Sequence, residues 1–181
     1  MAYYKLSVKQ LVATAIGASI FFLLTRFLSY QIFSHVYIMF QYAVLSFFAV
    51  VFGPICGLLI GLFGQILADL SFSRDILWSW VVTGASIGLL SGYIFKPNKV
   101  ENGDLNEMDI VRFIVCSMIV CLVSWGVVKP LGDIFFDSQS ASLAFIQSLI
   151  TGAGIFILIA VFGTILIIGY SKTRKKPTNP D

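Results

Sequence analysis

Residues 41–69 read QYAVLSFFAVVFGPICGLLIGLFGQILAD, and this stretch decides the fold of the chain. It is apolar almost throughout, and its one charged residue is Asp69 at the end. A helix that spans a membrane needs about 20 mostly apolar residues, so the stretch has room for more than one span. Gly53-Pro54 divides it, and proline fits the first turn of a helix that follows a tight bend. We therefore predict two antiparallel spans here rather than one kinked helix.

The composition of the whole chain also indicates a membrane protein. Apolar residues make up 58% of the 181 residues and charged residues 12%, whereas soluble domains carry about 25% charged residues. We predict an all-α fold: a polytopic membrane protein whose single domain, residues 1–171, is a bundle of six transmembrane helices, followed by a basic cytoplasmic tail at 172–181. The predicted spans are 8–28, 37–52, 54–72, 78–95, 110–130 and 141–170.

The basic residues predict how the spans are oriented. With the N-terminus inside, nine of the 12 lysines and arginines fall on the inner side and three on the outer side. Inner loops of membrane proteins carry the excess of Lys and Arg. We therefore predict cytoplasmic N- and C-termini in a bacterial cell membrane. The inner residues are Lys5, Lys9, Lys96, Lys99, Arg112, Lys172, Arg174, Lys175 and Lys176, and the outer residues are Arg26, Arg74 and Lys129.

With this orientation, polar side chains at membrane depth gather toward the outer ends of the spans. Gln65 and Asp69 lie one helical turn apart in span three, and Gln147 and Thr151 do so in span six. A charge at the membrane centre costs about 2.5–3.5 kcal/mol on insertion scales, so such groups usually face a cavity or a partner. We predict an outward-opening substrate pocket. Its candidate residues are Arg26, Gln41, Gln65, Asp69, Trp78, Trp80, Lys129 and Gln147.

Each of these residue types also has a structural interpretation. Basic residues at span ends fit snorkelling toward the membrane surface, and tryptophans fit the aromatic belt at the interface. Glutamines inside apolar helices fit hydrogen bonding between helices. Asp69 fits an ion pair with Arg74 or Lys129, and His35 fits a solvent-facing loop. The sequence alone leaves these alternatives open.

Small residues recur at a spacing of four along span one, in the segment Ala13-Thr14-Ala15-Ile16-Gly17-Ala18-Ser19. Such pairs let another helix approach closely, either inside the bundle or from a partner protein. The glycines of spans three and four fit internal packing. Span one is therefore our candidate for partner docking, through Ala13, Thr14, Ala15, Gly17, Ala18 and Ser19.

Motifs for several kinds of chemistry are absent from the sequence. There is no Gly-Lys-Ser or Gly-Lys-Thr, so the chain carries no Walker A motif for nucleotide hydrolysis. The three cysteines lie inside apolar runs with no metal-ligand spacing, and the basic residues sit at span ends, which does not indicate nucleic-acid binding. We predict no catalytic residue, no metal and no cofactor.

The first half of the chain resembles a known family, the substrate-binding S components of energy-coupling factor (ECF) vitamin transporters, and in particular their riboflavin-type group. The resemblance covers residues 5–95. It implies a six-helix subunit that captures a vitamin or vitamin precursor from outside and delivers it inward with a transmembrane coupling protein (the T component) and two ATP-binding subunits. The matching residues are Gln41-Tyr42-Ala43, Phe52-Gly53-Pro54, Gly57, Gly61, Gly64, Asp69 and Trp78-Ser79-Trp80.

The resemblance also bears on docking and on the substrate. In the family, the first helix carries an Ala-x-x-x-Ala docking motif, and here the corresponding pairs are Ala13/Gly17, Thr14/Ala18 and Ala15/Ser19. Hydroxymethylpyrimidine, a thiamine precursor, is our first expectation for the substrate and riboflavin the next, because a small flat heterocycle suits tryptophan stacking with glutamine and aspartate contacts.

Two other classes of function remain open from the sequence. One is a stand-alone secondary transporter or channel in which Asp69 couples ions. The other is a membrane scaffold protein without a ligand, whose small-residue stripes serve partners only.

Overall fold

The chain folds into a bundle of helices with one short β-hairpin. Four residues used in the sequence-based predictions lie outside the residues that the structure describes: Lys5, His35, Arg74 and Lys96. The tail from residue 175 onward also lies outside them. The computed structural model describes residues 7–33, 36–72, 75–95, 99–103 and 105–174. Its elements are α1 (Val8–Phe27), β1 (Ser29–Phe33), β2 (Val36–Met39), α2 (Gln41–Phe52), α3 (Pro54–Phe72), α4 (Trp78–Ser91), α5 (Glu107–Val123), a first π segment (Ser124–Val128), α6 (Lys129–Phe136), α7 (Ala141–Leu158), a second π segment (Ile159–Gly163) and α8 (Thr164–Thr173).

The elements α5, first π segment and α6 run on as one continuous helix, and so do α7, second π segment and α8. The described residues therefore contain four helices that are long and apolar enough to cross a membrane. The polytopic helical fold class is confirmed. The helices α2 and α4 have only 12 and 14 residues, fewer than the roughly 17–25 that usually span a bilayer. The number of six spans therefore stays a prediction. The four long helices are Val8–Phe27, Pro54–Phe72, Glu107–Phe136 and Ala141–Thr173.

Neighbouring helices in the first half run in opposite directions. Nε2 of Gln10 donates a hydrogen bond to the Phe52 carbonyl oxygen at 3.0 Å, so the start of α1 lies beside the end of α2. A Cβ atom placed on Gly92 would lie 2.3 Å from Cα of Pro54, so the end of α4 lies beside the start of α3. Between α2 and α3 the chain reverses at Gly53, whose φ of 100° is readily reached only by glycine.

The start of α1 and the end of α8 lie at this same end of the bundle, which we call the terminal end. Lys9 forms an ion pair with Glu101 in the connection between α4 and α5. A Cβ atom on Gly103 would lie 3.0 Å from the carbonyl oxygen of Arg174, just after α8. The start of α1 and the end of α8 are therefore both at the terminal end, and the hairpin lies at the opposite end.

The hairpin corrects the start of the second predicted span. Residues 37–39 belong to β2, which pairs antiparallel with β1 in the register Ser29 opposite Met39 and Tyr30 opposite Ile38. The helix that follows begins at Gln41, four residues later than predicted. The segments SYQIF and VYIM are rich in aromatic and β-branched residues, which favour strands.

The fifth predicted span also ends too early. The helix continues past residue 130 as far as Phe136, through the first π segment. That segment ends immediately before Lys129 and Pro130, and proline has no N–H to donate to an α-helical ladder. Lys129 and Asp133 are therefore buried residues inside a helix rather than parts of an outer loop.

Glycines bring α3 and α4 into backbone contact. A Cβ atom on Gly57 would lie 2.3 Å from the carbonyl oxygen of Gly88, and one on Gly61 would lie 2.3 Å from that of Gly84. Real Cβ atoms are not found that close to backbone oxygens, so larger side chains would force the two helices apart. These glycines pack the bundle internally.

A row of aromatic rings crosses the interior toward the end that carries the hairpin. Phe21 meets Tyr42 with ring centroids 5.7 Å apart, and Tyr42 meets Trp125 at 5.7 Å. Trp125 then meets Trp80 at 5.5 Å, and Trp80 meets Tyr37 of the hairpin at 5.6 Å. All four pairs are edge to face, a favoured geometry for aromatic side chains. The row joins α1, α2, the first π segment, α4 and β2.

Candidate functional site

The row of aromatic rings ends at a cavity of about 300 Å³, which we call the tryptophan cavity. The start of α4, the end of α6, the first half of α7 and Tyr37 of the hairpin enclose it. It lies at the opposite end from the two chain ends. Its lining residues are Tyr37, Leu77, Trp80, Trp125, Lys129, Asp133, Asp137, Gln139, Gln147, Ser148 and Thr151.

The charged residues of this cavity are paired. Lys129 forms an ion pair with Asp133 one turn further along α6, and both are buried, with exposed fractions of 5% and 4%. Nζ of Lys129 also lies 4.4 Å from the centroid of the Trp80 ring, within the range of a cation–π interaction. Asp137 accepts a hydrogen bond from the Ser79 hydroxyl at 2.8 Å. These contacts hold the charged groups in place along the wall.

Three buried polar atoms on the wall have no hydrogen-bond partner among the described residues. They are Nε1 of Trp125, Oε1 of Gln139 and Oγ1 of Thr151. Buried polar groups are normally hydrogen-bonded, because leaving one unpaired costs about 1–3 kcal/mol. These atoms therefore have unused hydrogen-bonding capacity, and their residues line the cavity.

A second cavity of about 400 Å³, the aspartate cavity, lies beside the first. Asp69 accepts hydrogen bonds from Nε2 of Gln65 at 2.8 Å and from the backbone N–H of Leu77 at 3.0 Å. Oε1 of Gln65 has no partner among the described residues. The two cavities share the walls Tyr37, Leu77 and Trp80, and the other residues around the second are Thr25, Ser29, Gln31, Met39, Gln65, Asp69 and Phe72.

The eight predicted pocket residues do not all come together. Five of them line the two cavities, and they divide between them, with Trp80 on both. The single pocket of the sequence-based prediction is thus a pair of adjoining cavities. The residues on the cavities are Gln65, Asp69, Trp80, Lys129 and Gln147, and those elsewhere are Arg26, Gln41 and Trp78.

The three others have different surroundings. Arg26 is exposed near the end of α1, and its guanidinium carbon lies 4.6 Å from the centroid of the Phe72 ring. Trp78 has 48% of its surface exposed. Gln41 is fully buried, and its Oε1 accepts a long hydrogen bond from Ser29 at 3.4 Å. Gln41 therefore connects α2 to the hairpin rather than lining a cavity.

The proposed pairing of Asp69 with Lys129 is wrong, because Lys129 pairs with Asp133. Asp69 instead fixes the start of α4 through the N–H of Leu77. A carboxylate at the end of one helix thereby sets where the next helix begins, and with it the position of Trp80.

Sequence reasoning missed several residues of the tryptophan cavity. Of these residues, Thr151 could have been found from the sequence. It lies four residues after the candidate Gln147 and therefore on the same helix face. Trp125 lies in an apolar run and carries no such signal. Gln139 follows Ser138, whose φ of 51° belongs to a turn that sequence patterns do not specify. Tyr37 reaches the cavity only because it belongs to a strand.

Residues 84–88 of α4 match the letters of the G-x-S-x-G nucleophile motif. That motif requires its serine on a sharp turn between a strand and a helix, whereas Ser86 lies within α4. Its hydroxyl donates to the Thr83 carbonyl oxygen at 2.8 Å and shares a hydrogen bond with the Ser124 hydroxyl at 2.9 Å. Ser86 thus connects α4 to the first π segment. Among the described residues, no group of three or more His, Cys, Asp or Glu side chains is placed to hold a metal ion.

The small-residue stripe of α1 divides between two faces. A Cβ atom on Gly17 would lie 2.4 Å from Cδ1 of Ile60 in α3, so this glycine belongs to the internal packing of the bundle. Beside the exposed face lie large apolar side chains, with Leu11 60% and Ile16 50% exposed. The buried candidates are Ala13, Thr14, Gly17 and Ala18, and the exposed ones are Ala15 and Ser19.

The fold and the site together define a multi-pass helical membrane protein with two adjoining cavities at one end. The chain belongs to the family described as ECF-type riboflavin transporter, S component, whose model matches residues 5–172. It is therefore a membrane-embedded S component, the substrate-binding subunit of such a transporter. The family extends the resemblance found in the first half of the sequence to nearly the whole chain.

Curated relatives of similar length come from streptococci. The UPF0397 protein of Streptococcus thermophilus (strain CNRZ 1066) is 36% identical over 168 residues, which cover 93% of both chains. The UPF0397 protein of Streptococcus agalactiae serotype V is 35% identical over 169 residues, again 93% of both. That of Streptococcus pneumoniae (strain ATCC BAA-255 / R6) is 31% identical over 172 residues, or 95% of this chain and 94% of the relative. No solved structure matches the chain.

Proposed function

We propose that the tryptophan cavity captures a flat heterocyclic vitamin or vitamin precursor, which the protein hands to the rest of an ATP-driven importer. The observation that carries the proposal is the cavity itself, which combines the aromatic rings of Tyr37, Trp80 and Trp125 with buried polar atoms that have no partner among the described residues. Ligand sites in proteins are mostly apolar clefts with a few placed polar groups. Family membership agrees with this role.

Hydroxymethylpyrimidine is our first candidate for the substrate and riboflavin the second. The tryptophan cavity has about 300 Å³, at the lower end of the roughly 300–1,000 Å³ of ligand pockets, which favours a single small ring. Riboflavin, the substrate in the family's description, has three fused rings and a hydroxylated chain. It would need the aspartate cavity as well, so Asp69 and Gln65 would bind riboflavin but would not touch the pyrimidine.

The cavity end faces outward in this proposal, and the terminal end faces the cytoplasm. The positive-inside rule supports this orientation, because the basic residues near the chain ends lie opposite the cavities. The partners are a T component and two ATP-binding subunits, since the sequence has no Walker A motif of its own. The exposed face of α1 around Ala15 and Ser19 is the docking surface that we propose for the T component.

Native mass spectrometry of the purified protein tests the proposal directly. We expect a co-purified heterocycle, or binding when hydroxymethylpyrimidine or riboflavin is added, and Trp80→Ala should weaken that binding. Absence of binding for both compounds would contradict the proposal. Gradient-driven uptake by the single chain in vesicles without ATP would contradict the importer role and favour the stand-alone transporter.

A second measurement tests the orientation. Single cysteines at Gln139, beside the cavity, and at Asn102, at the terminal end, can be labelled with a membrane-impermeant maleimide in intact cells. Cys56, Cys116 and Cys121 are replaced by Ala in the background. We expect labelling of residue 139 alone. Labelling of residue 102 alone would reverse the orientation.

A further inference from the structure

The tryptophan cavity contains an unusual threonine. Thr14, Thr25 and Thr83 are buried helical threonines, and each donates its hydroxyl to the carbonyl oxygen four residues earlier, at 2.8, 2.8 and 2.6 Å. This local bond is the ordinary way for a threonine inside a helix to satisfy its hydroxyl. Thr151 is just as buried, with 1% of its surface exposed, but its hydroxyl has no partner among the described residues. Thr151 is one of the residues that line the tryptophan cavity.

Trp125 presents a second unpaired group, and its ring is held firmly in place. The ring meets Tyr42 on one side and Trp80 on another, at centroid distances of 5.7 and 5.5 Å. A Cβ atom on Gly152 would lie 2.5 Å from Cβ of Trp125, so the glycine lets the tryptophan lie directly against α7. The indole Nε1–H can only donate. A ligand must offer it an acceptor.

Gln139 presents the third group from the turn between α6 and α7. Its backbone N–H and that of Asp137 both donate to the carbonyl oxygen of Asp133, each at 3.1 Å, and these bonds fix the turn. Oε1 of Gln139 is buried without a partner among the described residues. Because this oxygen can only accept a hydrogen bond, a ligand must offer it a donor.

Other unpaired polar atoms of the described residues lack such a space. Nε2 of Gln41, the hydroxyls of Tyr42 and Ser117 and that of Thr164 are also buried without partners. The first three residues line none of the cavities described above, and Thr164 borders only a crevice of about 10 Å³. Of the two cavities, the tryptophan cavity combines three unpaired polar atoms of the described residues with room for a ring.

We propose that Trp125, Gln139 and Thr151 determine the specificity of the tryptophan cavity by forming hydrogen bonds with one edge of a heteroaromatic ligand. This inference rests on the function proposed above. The ligand presents an acceptor to Trp125, a donor to Gln139 and either kind of group to Thr151. An exocyclic amino group beside a ring nitrogen provides that pattern. With Lys129 and Asp133 already paired, the cavity favours a neutral or weakly basic ring over an anion.

Binding measurements with two pyrimidines test this proposal. The probes are 4-amino-5-hydroxymethyl-2-methylpyrimidine and the analogue that lacks its amino group. The variants are Trp125→Phe, Thr151→Val and Gln139→Leu, with Thr164→Val as the control for losing an unpaired hydroxyl elsewhere. Each cavity variant should bind the amino compound roughly tenfold more weakly, the effect of one lost hydrogen bond. Thr164→Val should bind it like the wild type.

The second probe separates recognition from a general loss of structure. Gln139→Leu should weaken the amino compound but leave the affinity for the deaminated analogue unchanged, because that analogue has no donor to lose. Equal losses for both probes in Gln139→Leu, or unchanged affinity for the amino compound in all three variants, would overturn the inference while leaving the proposed function intact. If the wild type binds neither the pyrimidines nor riboflavin, the proposed function itself fails and this inference fails with it.

Discussion

Trp80 and Trp125 meet edge to face, with ring centroids 5.5 Å apart and an interplanar angle of 76°. Trp80 lies in the first turn of α4 and Trp125 lies in the first π segment, so the contact joins the two halves of the chain. Trp80 is also a shared wall of the two cavities, whereas Trp125 borders only the first of them. A ring that enters the tryptophan cavity therefore contacts the same residue that closes off the aspartate cavity.

The first prediction concerns the two tryptophans that open α4. Trp80→Ala should weaken ligand binding by about tenfold or more, because an aromatic pair is worth about 0.5–1.5 kcal/mol beyond its buried area and the variant also removes the cation–π partner of Lys129. Trp78→Ala is the matched control, since Trp78 is 48% exposed and lines neither cavity. Isothermal titration of both variants with hydroxymethylpyrimidine makes the comparison. Equal losses in the two variants would remove Trp80 from the site.

The second prediction concerns the buried ion pair of α6. Lys129→Met should destabilise the protein by about 3–5 kcal/mol, because it leaves the Asp133 carboxylate buried and unpaired. The double variant Lys129→Met with Asp133→Leu should recover most of that loss. Thermal unfolding in detergent measures both. Lys9→Met is a suitable control, because the Lys9 side chain is 52% exposed and exposed pairs contribute only about 0–1 kcal/mol.

The third prediction concerns the contact between α3 and α4. Gly57→Ala should lower the free energy of unfolding by about 1–3 kcal/mol, the usual cost of overpacking, because its new Cβ would lie 2.3 Å from the Gly88 carbonyl oxygen. Gly154→Ala should be neutral or stabilising, since a Cβ at Gly154 meets nothing within 4 Å. Thermal unfolding of the two variants side by side gives the answer. Similar behaviour of the two would mean that α3 and α4 can separate without loss.

The fourth prediction concerns the two faces of α1. Ala15→Leu enlarges the exposed face and should reduce co-purification of the T component while leaving the unfolding temperature unchanged. Gly17→Leu should lower the unfolding temperature, because Gly17 packs against Ile60 and Phe48. Ala153→Leu, an exposed alanine of α7, is the control for adding apolar surface elsewhere. If Ala15→Leu still assembles fully with the T component, the exposed face of α1 is not the docking surface and contacts lipid alone.

Much of the fold is predictable from the sequence because membrane helices are long and uniform in composition. The break at Gly53-Pro54 identified the boundary between α2 and α3, since both residues have strong backbone preferences. The hairpin escaped prediction because its strands sit between apolar runs, and an apolar residue such as Ile38 suits a strand as well as a helix. The extension of α6 escaped as well, because a proline at residue 130 normally suggests a helix end.

The candidate site was predictable only in outline. Costly polar residues such as Gln65, Lys129 and Gln147 pointed to the end of the bundle where the two cavities lie. The sequence could not show how deeply each side chain is buried in the bundle or in which direction it points around its helix axis. Trp78 and Trp80 are two residues apart and therefore point in different directions, so one faces outward while the other reaches the cavity. Trp125 lies in a mostly apolar run, and its packing against Trp80 brings it into the cavity wall.

The backbone contact between α3 and α4 has a mechanical consequence. Because backbone carbonyl oxygens lie directly against the glycines of the facing helix, α3 and α4 cannot slide along each other without steric clashes. The two helices therefore move as one rigid unit. The two π segments lie in the other half of the bundle, within the helices that carry Trp125 and Thr151. Because π turns are wider and less regular than α-helical turns, adjustment to an entering ligand concentrates in that half. The protein is thus stiff on one side and compliant on the other, and residues of both sides line the tryptophan cavity.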